Sequence, residues 1–421
     1  MDVLLGLQWG DEGKGKVVDM LGHHYQYVAR FQGGPNAGHT IYHEGQKFVL
    51  HQIPSGIFNA EATSIIGNGL VLNPITLFEE IGQLQEAGID PVPRLVVSDK
   101  AHLILPTHRL LDQVSELSKG SNKIGSTLRG IGPAYQDKAA RIGLRVGDIH
   151  QPDFDQKCRE LFDLHEALTR ANHPETDYPA LRAEFLTAIE GLRGLRIRST
   201  EWLLHEALTD GKNILAEGAQ GTMLDLDFGT YPFITSSSTI TGGACTGLGV
   251  APRWVRHVIG VTKAYCTRVG SGPFITELHD DTGERIRTAG QEFGATTGRP
   301  RRTGWLDLVA LRYAVMLNGV SHLVITKPDV LDGFEEVLVC NQYIEGSIII
   351  SQAPAVYGPE LQPHYTAMPG WQKAMSEDGR IDAALSDFVQ KVSKMVKAPV
   401  AFVSTGPGRK DIWANAHNRI F

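Results

Sequence analysis

At 421 residues, with 42% apolar and 21% charged side chains, the chain has the balance of a folded globular protein long enough to bury a large core. A formal charge of −7 has the wrong sign for general nucleic-acid binding, so a small ligand in a local basic pocket is the expected partner. No run approaches the roughly 20 apolar residues that span a bilayer, no leader-like segment opens the chain, and Cys158, Cys245, Cys266 and Cys340 lie far apart without metal-ligand spacing. This pattern suits a cytoplasmic protein with buried, reduced thiols.

In chain order, short apolar runs bounded by turn residues read as strands buried on both faces: VLLGLQ, SIIGNG, RLVVSD, NILAEG, HVIGVTKAY, HLVIT and VAFVST. Between them lie amphipathic stretches. One starts at Asn73-Pro74, a capping residue followed by proline in the first helical position, and stops at Gly88. Two more are DLVALRYAVMLNG and LSDFVQKVSKMVKA. The alternation predicts an α/β fold, a large mainly parallel central sheet covered by helices, as one domain over 1–421. Residues 36–56 alternate about a Glu-Gly turn and predict a hairpin. Residues from about 100 to 210 are charged and largely helical, as in an inserted subdomain.

Chemistry concentrates in the glycine-rich loops, where backbone N–H groups can approach a phosphate. In GLQWGDEGKGKVVDM, Gly10, Gly15 and Lys16 keep the phosphate-loop spacing, but Val17 replaces the usual hydroxyl residue, and Asp11 and Glu12 sit inside the loop. Further loops are FQGGPNAGHT, GSTLRGIGPAYQDKAAR, AEGAQGTMLD, SSSTITGGACTGLG, GATTGRPRRTGW and STGPGRK. Together they suggest several walls of one polyanion pocket. TKPD directly after a strand reads alone as a surface turn with a solvated charge pair, but together with the strand-to-loop turn VAFVSTGP it suggests that Lys327 and Asp329 recognise guanine, from whose N1–H and exocyclic amine a carboxylate can accept, a pattern adenine lacks. Arg299, Arg301 and Arg302 crowd one turn, a density suited to bidentate binding of carboxylate or phosphate. His39 lies in a Gly/Asn loop, unlike most of the 16 histidines.

The ordered series QWGDEGKGK, GGPNAGHT, RGIGPAYQDKAAR, EGAQGTMLD, TTGRPRRTGW, TKPDVLDG and STGP resembles the adenylosuccinate synthetase family from residue 1 to about 410. The resemblance implies GTP-dependent ligation of IMP and L-aspartate to adenylosuccinate, GDP and phosphate through 6-phosphoryl-IMP, with Mg²⁺. It also implies a sheet related to P-loop GTPases and a homodimer. Asp11 would take the N1 proton of IMP, and His39 would act on the transferring phosphoryl group. Asp11 and the carbonyl of Gly38 would hold Mg²⁺.

By the same resemblance, Gly10, Glu12, Gly13, Lys14, Gly15, Lys16, Gly38, Thr40 and Arg301 would hold GTP phosphates, while Lys327, Asp329, Ser404 and Gly406 frame guanine. IMP would meet Asp11, Lys14, Asn36, His39, Thr127, Gln220, Thr235 and Arg299, with Arg141 reaching across the dimer. Ala295, Thr296, Thr297, Arg299 and Arg301 would take aspartate. Pro35, Leu128 and Ser238 depart from the family pattern; Leu128 stands where glycine or lysine is common. Phage-type relatives that act on dGMP replace the loop aspartate, so Asp11 favours IMP. A regulatory GTP switch would carry Ser or Thr after Lys16 and a single nucleotide pocket.

Overall fold

The computed structural model describes residues 1–36, 38–120, 123–294, 298–408 and 410–420. Ten strands form the central sheet in the spatial order Ile412–Ala414, Val400–Ser404, His322–Thr326, His257–Lys263, Asp2–Gly6, Ile214–Glu217, Tyr27–Arg30, Thr63–Ile66, Leu95–Ser98 and Arg196–Arg198. Only Ile412–Ala414, at one edge, runs antiparallel to its neighbour.

The continuous apolar runs follow from burial on both faces. Val3 and Leu5 join a core with the helices Leu308–Asn318 and Ala383–Val396, whereas Leu4 points the other way, onto Val17, Val18 and Leu21 of the helix Lys14–Leu21. This is the period-two alternation of a strand with apolar partners on both sides. The helix Pro74–Glu86 starts as its sequence dictates: the Asn73 side chain accepts from Thr76 N at 3.2 Å, and proline occupies the first turn.

Two strands carry weak sequence signals. Tyr27–Arg30 is four residues with a fully buried arginine, and Arg196–Arg198 is an edge strand of alternating exposure. The latter bears on the 100–210 region. Its helices Pro106–Ser118, Ile131–Ala140, Phe154–Thr169 and Tyr178–Arg193 project from the sheet edge, but Arg196–Arg198 pairs with Leu95–Ser98, so the chain is back in the sheet before residue 210. Phe154, Phe162 and Phe185 share a core with Ile66, Leu77 and Val97 of the sheet-side elements.

The hairpin pairs His39–His43 with Gln46–Leu50. Its two turn residues, Glu44 and Gly45, both have positive φ, 48° and 80°, the twist that joins adjacent antiparallel strands. The strand ends Gly6, Glu217, Lys263, Thr326 and Ser404 lie along one side of the sheet, where parallel α/β folds place their ligands.

Candidate active site

The loop from Gly6 into the helix Lys14–Leu21 is held by its own acid. Glu12 is fully buried, and its Oε1 accepts from Gln8 N at 3.1 Å and Gly10 N at 2.9 Å while Oε2 meets Lys14 Nζ at 2.6 Å. A Cβ at Gly221 would stand 2.5 Å from Glu12 Oε1, so glycine there makes room for the carboxylate. Glu12 and Lys14, both expected at phosphates, pair with each other within the loop. Asp11 takes the opposite orientation. It has a left-handed backbone at φ 60°, and its side chain is 35% exposed. A non-glycine residue in that region is strained, the kind of strain that collects at functional loops.

One wall comes from the strands His322–Thr326 and Val400–Ser404. Thr326 Oγ1 donates to Glu12 O at 2.7 Å, joining this wall to the loop. Lys327 turns into left-handed backbone at φ 59°, with its N donating to Ser404 O at 2.8 Å. Asp329 Oδ1 is buried with no hydrogen-bond partner, and burial raises its pKa above the ordinary carboxylate value. Such an orphaned acceptor is costly unless a ligand supplies the donor. Lys16 Nζ donates to Ser404 Oγ at 2.6 Å and to the Gly406 carbonyl, and burial brings its pKa down to about 8. Lys16 therefore bridges the loop and this wall.

His39 opens the hairpin and packs beside the loop helix, where a Cβ at Gly15 would be 3.3 Å from His39 Cβ. Its Nδ1 is 2.6 Å from Glu217 Oε1, at the end of the neighbouring strand. Ser55 also donates to Glu217, through N at 2.8 Å and Oγ at 2.6 Å. These contacts hold Glu217 ionised, so Nδ1 carries the proton; Nε2 is buried without a partner. Burial first, and then the buried Arg30 guanidinium, lower the pKa of His39 despite the opposing effect of Glu217.

Opposite Asp11 stands Arg301. Its Nε is 2.7 Å from Asp11 Oδ2 and its Nη1 is 2.7 Å from Glu292 Oε2, while Lys327 Nζ and Lys263 Nζ reach Glu292 Oε1 at 2.8 and 2.9 Å. Glu292 and Glu217 were not singled out by the sequence. Glu217 opens a quoted motif and Glu292 precedes the arginine turn, but a glutamate in a glycine-rich loop carries no local sign that it will be sealed among cations. Arg302, by contrast, pairs with Glu277 and donates to the Gly272 carbonyl, a bracing role for the 270–273 turn.

A further wall holds the other expected residues. Gln220 has positive φ, 55°, and its Nε2 donates to Asn36 Oδ1 at 3.1 Å; Gln32 Nε2 in turn donates to Gln220 Oε1 at 3.0 Å. Thr235 N donates to Leu224 O at 2.9 Å, which fixes the adjoining turn. Thr127 lies on a loop tied down by Glu116, which accepts from Gly125 N, and Asp112, which accepts from Ser126 Oγ and Gly130 N. Gly13 starts the loop helix in left-handed backbone, Gly38 and Thr40 flank His39, and Arg299 and Arg141 are exposed. Ala295, Thr296 and Thr297 lie outside the described residues.

Among the described residues, His108, Asp137 and His165 are the one group of three close metal-ligating side chains. Their geometry is that of a satisfied hydrogen-bond knot. His108 Nδ1 accepts from Leu105 N at 2.9 Å, so its Nε2 bears hydrogen and donates to Asp137 Oδ2 at 2.8 Å; His165 Nε2 reaches the same oxygen at 3.0 Å. A nitrogen already carrying a proton offers no lone pair to a metal. The knot instead anchors the helix Ile131–Ala140, whose C-cap is Arg141 at φ 66°.

A glycine-rich loop opening a helix, a strand-end wall with an orphaned buried carboxylate and a histidine oriented by a buried glutamate give the site the make-up of a nucleotide-using enzyme. The comparisons specify it: a family model for adenylosuccinate synthetase matches residues 3–413. The chain is 52% identical over 420 residues to adenylosuccinate synthetase of Cytophaga hutchinsonii, covering 98% of this chain and 97% of the relative. It is 51% identical over 416 residues to that of Christiangramia forsetii, covering 97% and 98%. The solved structure of fully ligated adenylosuccinate synthetase from Plasmodium falciparum superposes with a TM-score of 0.92 at 37% identity, covering 98% of this chain and 99% of that one. A cyanophage S-2L succinoaminodeoxyadenylate synthetase shares the fold at a TM-score of 0.64 and 22% identity. The chain belongs to the adenylosuccinate synthetase family. It is a ligase that joins IMP and aspartate into adenylosuccinate, the step that leads from IMP toward AMP.

Proposed function

We propose that GTP drives this ligation by phosphorylating O6 of IMP, with Asp11 as general base and His39 as the group that receives charge on the transferring phosphoryl. The observation that carries the proposal is the loop's division of labour: Glu12 is sealed among loop amides, and Asp11 opens to the cleft. Asp11 takes the proton from N1, O6 attacks the γ-phosphorus, and GDP leaves. The aspartate amine then adds at C6 and phosphate departs with the O6 oxygen. His39 Nε2, unpartnered, would take a proton from water as phosphoryl charge arrives and donate a hydrogen bond to it.

Asp329 Oδ1 would accept from guanine N1–H and the exocyclic amine, which removes its burial without a partner. Asn36, Thr127, Gln220, Thr235 and Arg299 would hold IMP, and the 295–297 turn with Arg299 and Arg301 would take the aspartate carboxylates. Asp11 and the Gly38 carbonyl would supply hard oxygen ligands of the kind Mg²⁺ takes, a cation that keeps several waters of its own. Bound there, Mg²⁺ would neutralise phosphate charge. The exposed Arg141, with the 44% exposed Ile142 beside it, supports a role for Arg141 at a second copy's IMP site in a homodimer. Four unpaired cysteines support a cytoplasmic setting.

Ultraviolet absorbance tests the core of this proposal. Purified protein with Mg²⁺, IMP, aspartate and GTP should give a red-shifted purine spectrum that needs every component, and ATP should serve poorly. Equal rates with ATP would remove the assignment of Asp329 as base selector, and no change with any triphosphate would remove the reaction.

A further inference from the structure

Glu292 is the point where the base wall and the reacting end of the site meet. Its side chain is fully buried in the turn that follows the helix Asp281–Gly290. Oε1 receives Lys263 Nζ at 2.9 Å, Lys327 Nζ at 2.8 Å and the Tyr265 hydroxyl; Oε2 receives Arg301 Nη1 at 2.7 Å. The backbone repeats the link, since Arg301 N donates to Glu292 O at 2.8 Å. Each partner is otherwise committed. Lys327 Nζ also donates to Gly290 O at 2.7 Å, and its backbone turns the chain toward Asp329; Arg301 Nε lies 2.7 Å from Asp11. Burying one carboxylate among three cations is unfavourable unless the cations are needed in fixed places. Removing it would leave Lys263, with no exposed side-chain surface, facing two other cations.

We propose that Glu292 is a positioning residue that sets the guanine-side lysine and the Arg301–Asp11 pair in one register, so that the base pocket and the phosphoryl end of GTP are built by a single carboxylate. Glu292 touches no substrate in this account; it acts through Lys327 and Arg301. The proposal rests on the assignment of Lys327 to guanine and of Arg301 to phosphate and aspartate. A loss of register would therefore weaken GTP and aspartate together. IMP affinity, carried in the proposed function by Asn36, Gln220 and Thr235 on a different wall, would be spared, while a displaced Asp11 would lower kcat.

Steady-state kinetics of Glu292→Gln test this, with thermal melting to show that the variant is folded. The expected result is a rise in KM for GTP and for aspartate, each roughly 10- to 100-fold as for other outer-shell partners, with KM for IMP within about twofold and the preference for GTP over ATP reduced. Equal loss for all three substrates, or unchanged KM values for GTP and aspartate whatever happens to kcat, would overturn it. Tyr265→Phe removes one donor to Glu292 without altering charge. It should move the same two constants in the same direction by a smaller factor, and it decides the matter if Glu292→Gln does not fold, an unchanged pair of constants counting against the proposal. If the unaltered enzyme itself shows no preference for GTP, the assignment of Lys327 falls first; if it does and the variants keep that preference with unaltered KM values, Glu292 alone loses its role.

Discussion

Glu217 Oε1 lies 2.6 Å from His39 Nδ1, and this contact decides which ring nitrogen is left without a protein partner. Nδ1–H is spent on the carboxylate, so Nε2 is the nitrogen that the proposed phosphoryl contact would use. Glu217→Gln keeps the shape but removes the charge that favours protonated His39. The expected effect is a fall in kcat on the order of 10²-fold, with KM for aspartate little changed. The loss should also deepen at neutral pH, because the imidazole becomes harder to protonate. A pH–kcat profile identical to that of the unaltered enzyme would show that Glu217 only packs the hairpin against the sheet.

Asp11 sits in left-handed backbone, which Asn tolerates nearly as well as Asp. Asp11→Asn should therefore fold normally and lose turnover by about 10²–10⁴-fold as a missing base. Circular dichroism and melting give the first half, and the coupled ligation rate gives the second. Near-normal kcat would require another base.

Lys16 supplies the pH dependence. Burial holds its pKa down at about 8, so the amine is charged below that value and neutral above it. Phosphate binds the charged form, so affinity for GTP is full at pH 7 and is lost as pH rises through about 8 in the free enzyme. KM for GTP measured between pH 6.5 and 9.5 should climb on the alkaline side. In Lys16→Arg, whose charge persists, the climb should vanish. A climb that survives in the arginine variant assigns the titration elsewhere.

Most of the sheet was legible because parallel strands buried on both faces leave continuous apolar runs, and the helix after Asn73 announced itself by its cap. Tyr27–Arg30 and Arg196–Arg198 were not, because a short strand's identity comes from its neighbours: Arg30 is tolerated only because the His51 carbonyl and the charges of Glu217 and Glu80 surround it. The site shows the same division. Glycine spacing and the TKPD run pointed to the loop and the base wall. Glu217 and Glu292 gain meaning only when His39 and Arg301, distant or separated by turns, fold onto them. That Glu12 turns inward depends on the space left at Gly6, close by in sequence, and at Gly221, more than 200 residues away.

Leu128 has φ 56°, a conformation that costs a branched residue about 1–2 kcal/mol, and its side chain is 38% exposed. Glycine would relieve that strain at some entropic cost, so Leu128→Gly should raise stability by up to about 1 kcal/mol. Chemical denaturation measures it. A destabilised variant would mean that the leucine side chain contributes packing in the Thr127 loop beyond its own strain.

Asp329→Asn exchanges an acceptor for an amide that can donate, matching the C2 carbonyl of xanthine in place of the amine of guanine. A loss of about 1–3 kcal/mol for the mismatched base predicts a KM for GTP raised roughly 10- to 100-fold and improved use of XTP. Unchanged discrimination would place base recognition elsewhere on the Ser404 wall.

In the proposed reaction, O6 of IMP attacks phosphorus before the amine of aspartate reaches C6. The direct measurement is to run the reaction with IMP carrying ¹⁸O at O6 and to weigh the released phosphate. One ¹⁸O in each phosphate is the predicted result, since the oxygen leaves C6 still bonded to phosphorus. Unlabelled phosphate, with the label lost to water, would contradict it and leave GTP hydrolysis coupled to ligation by some route other than phosphoryl transfer to IMP.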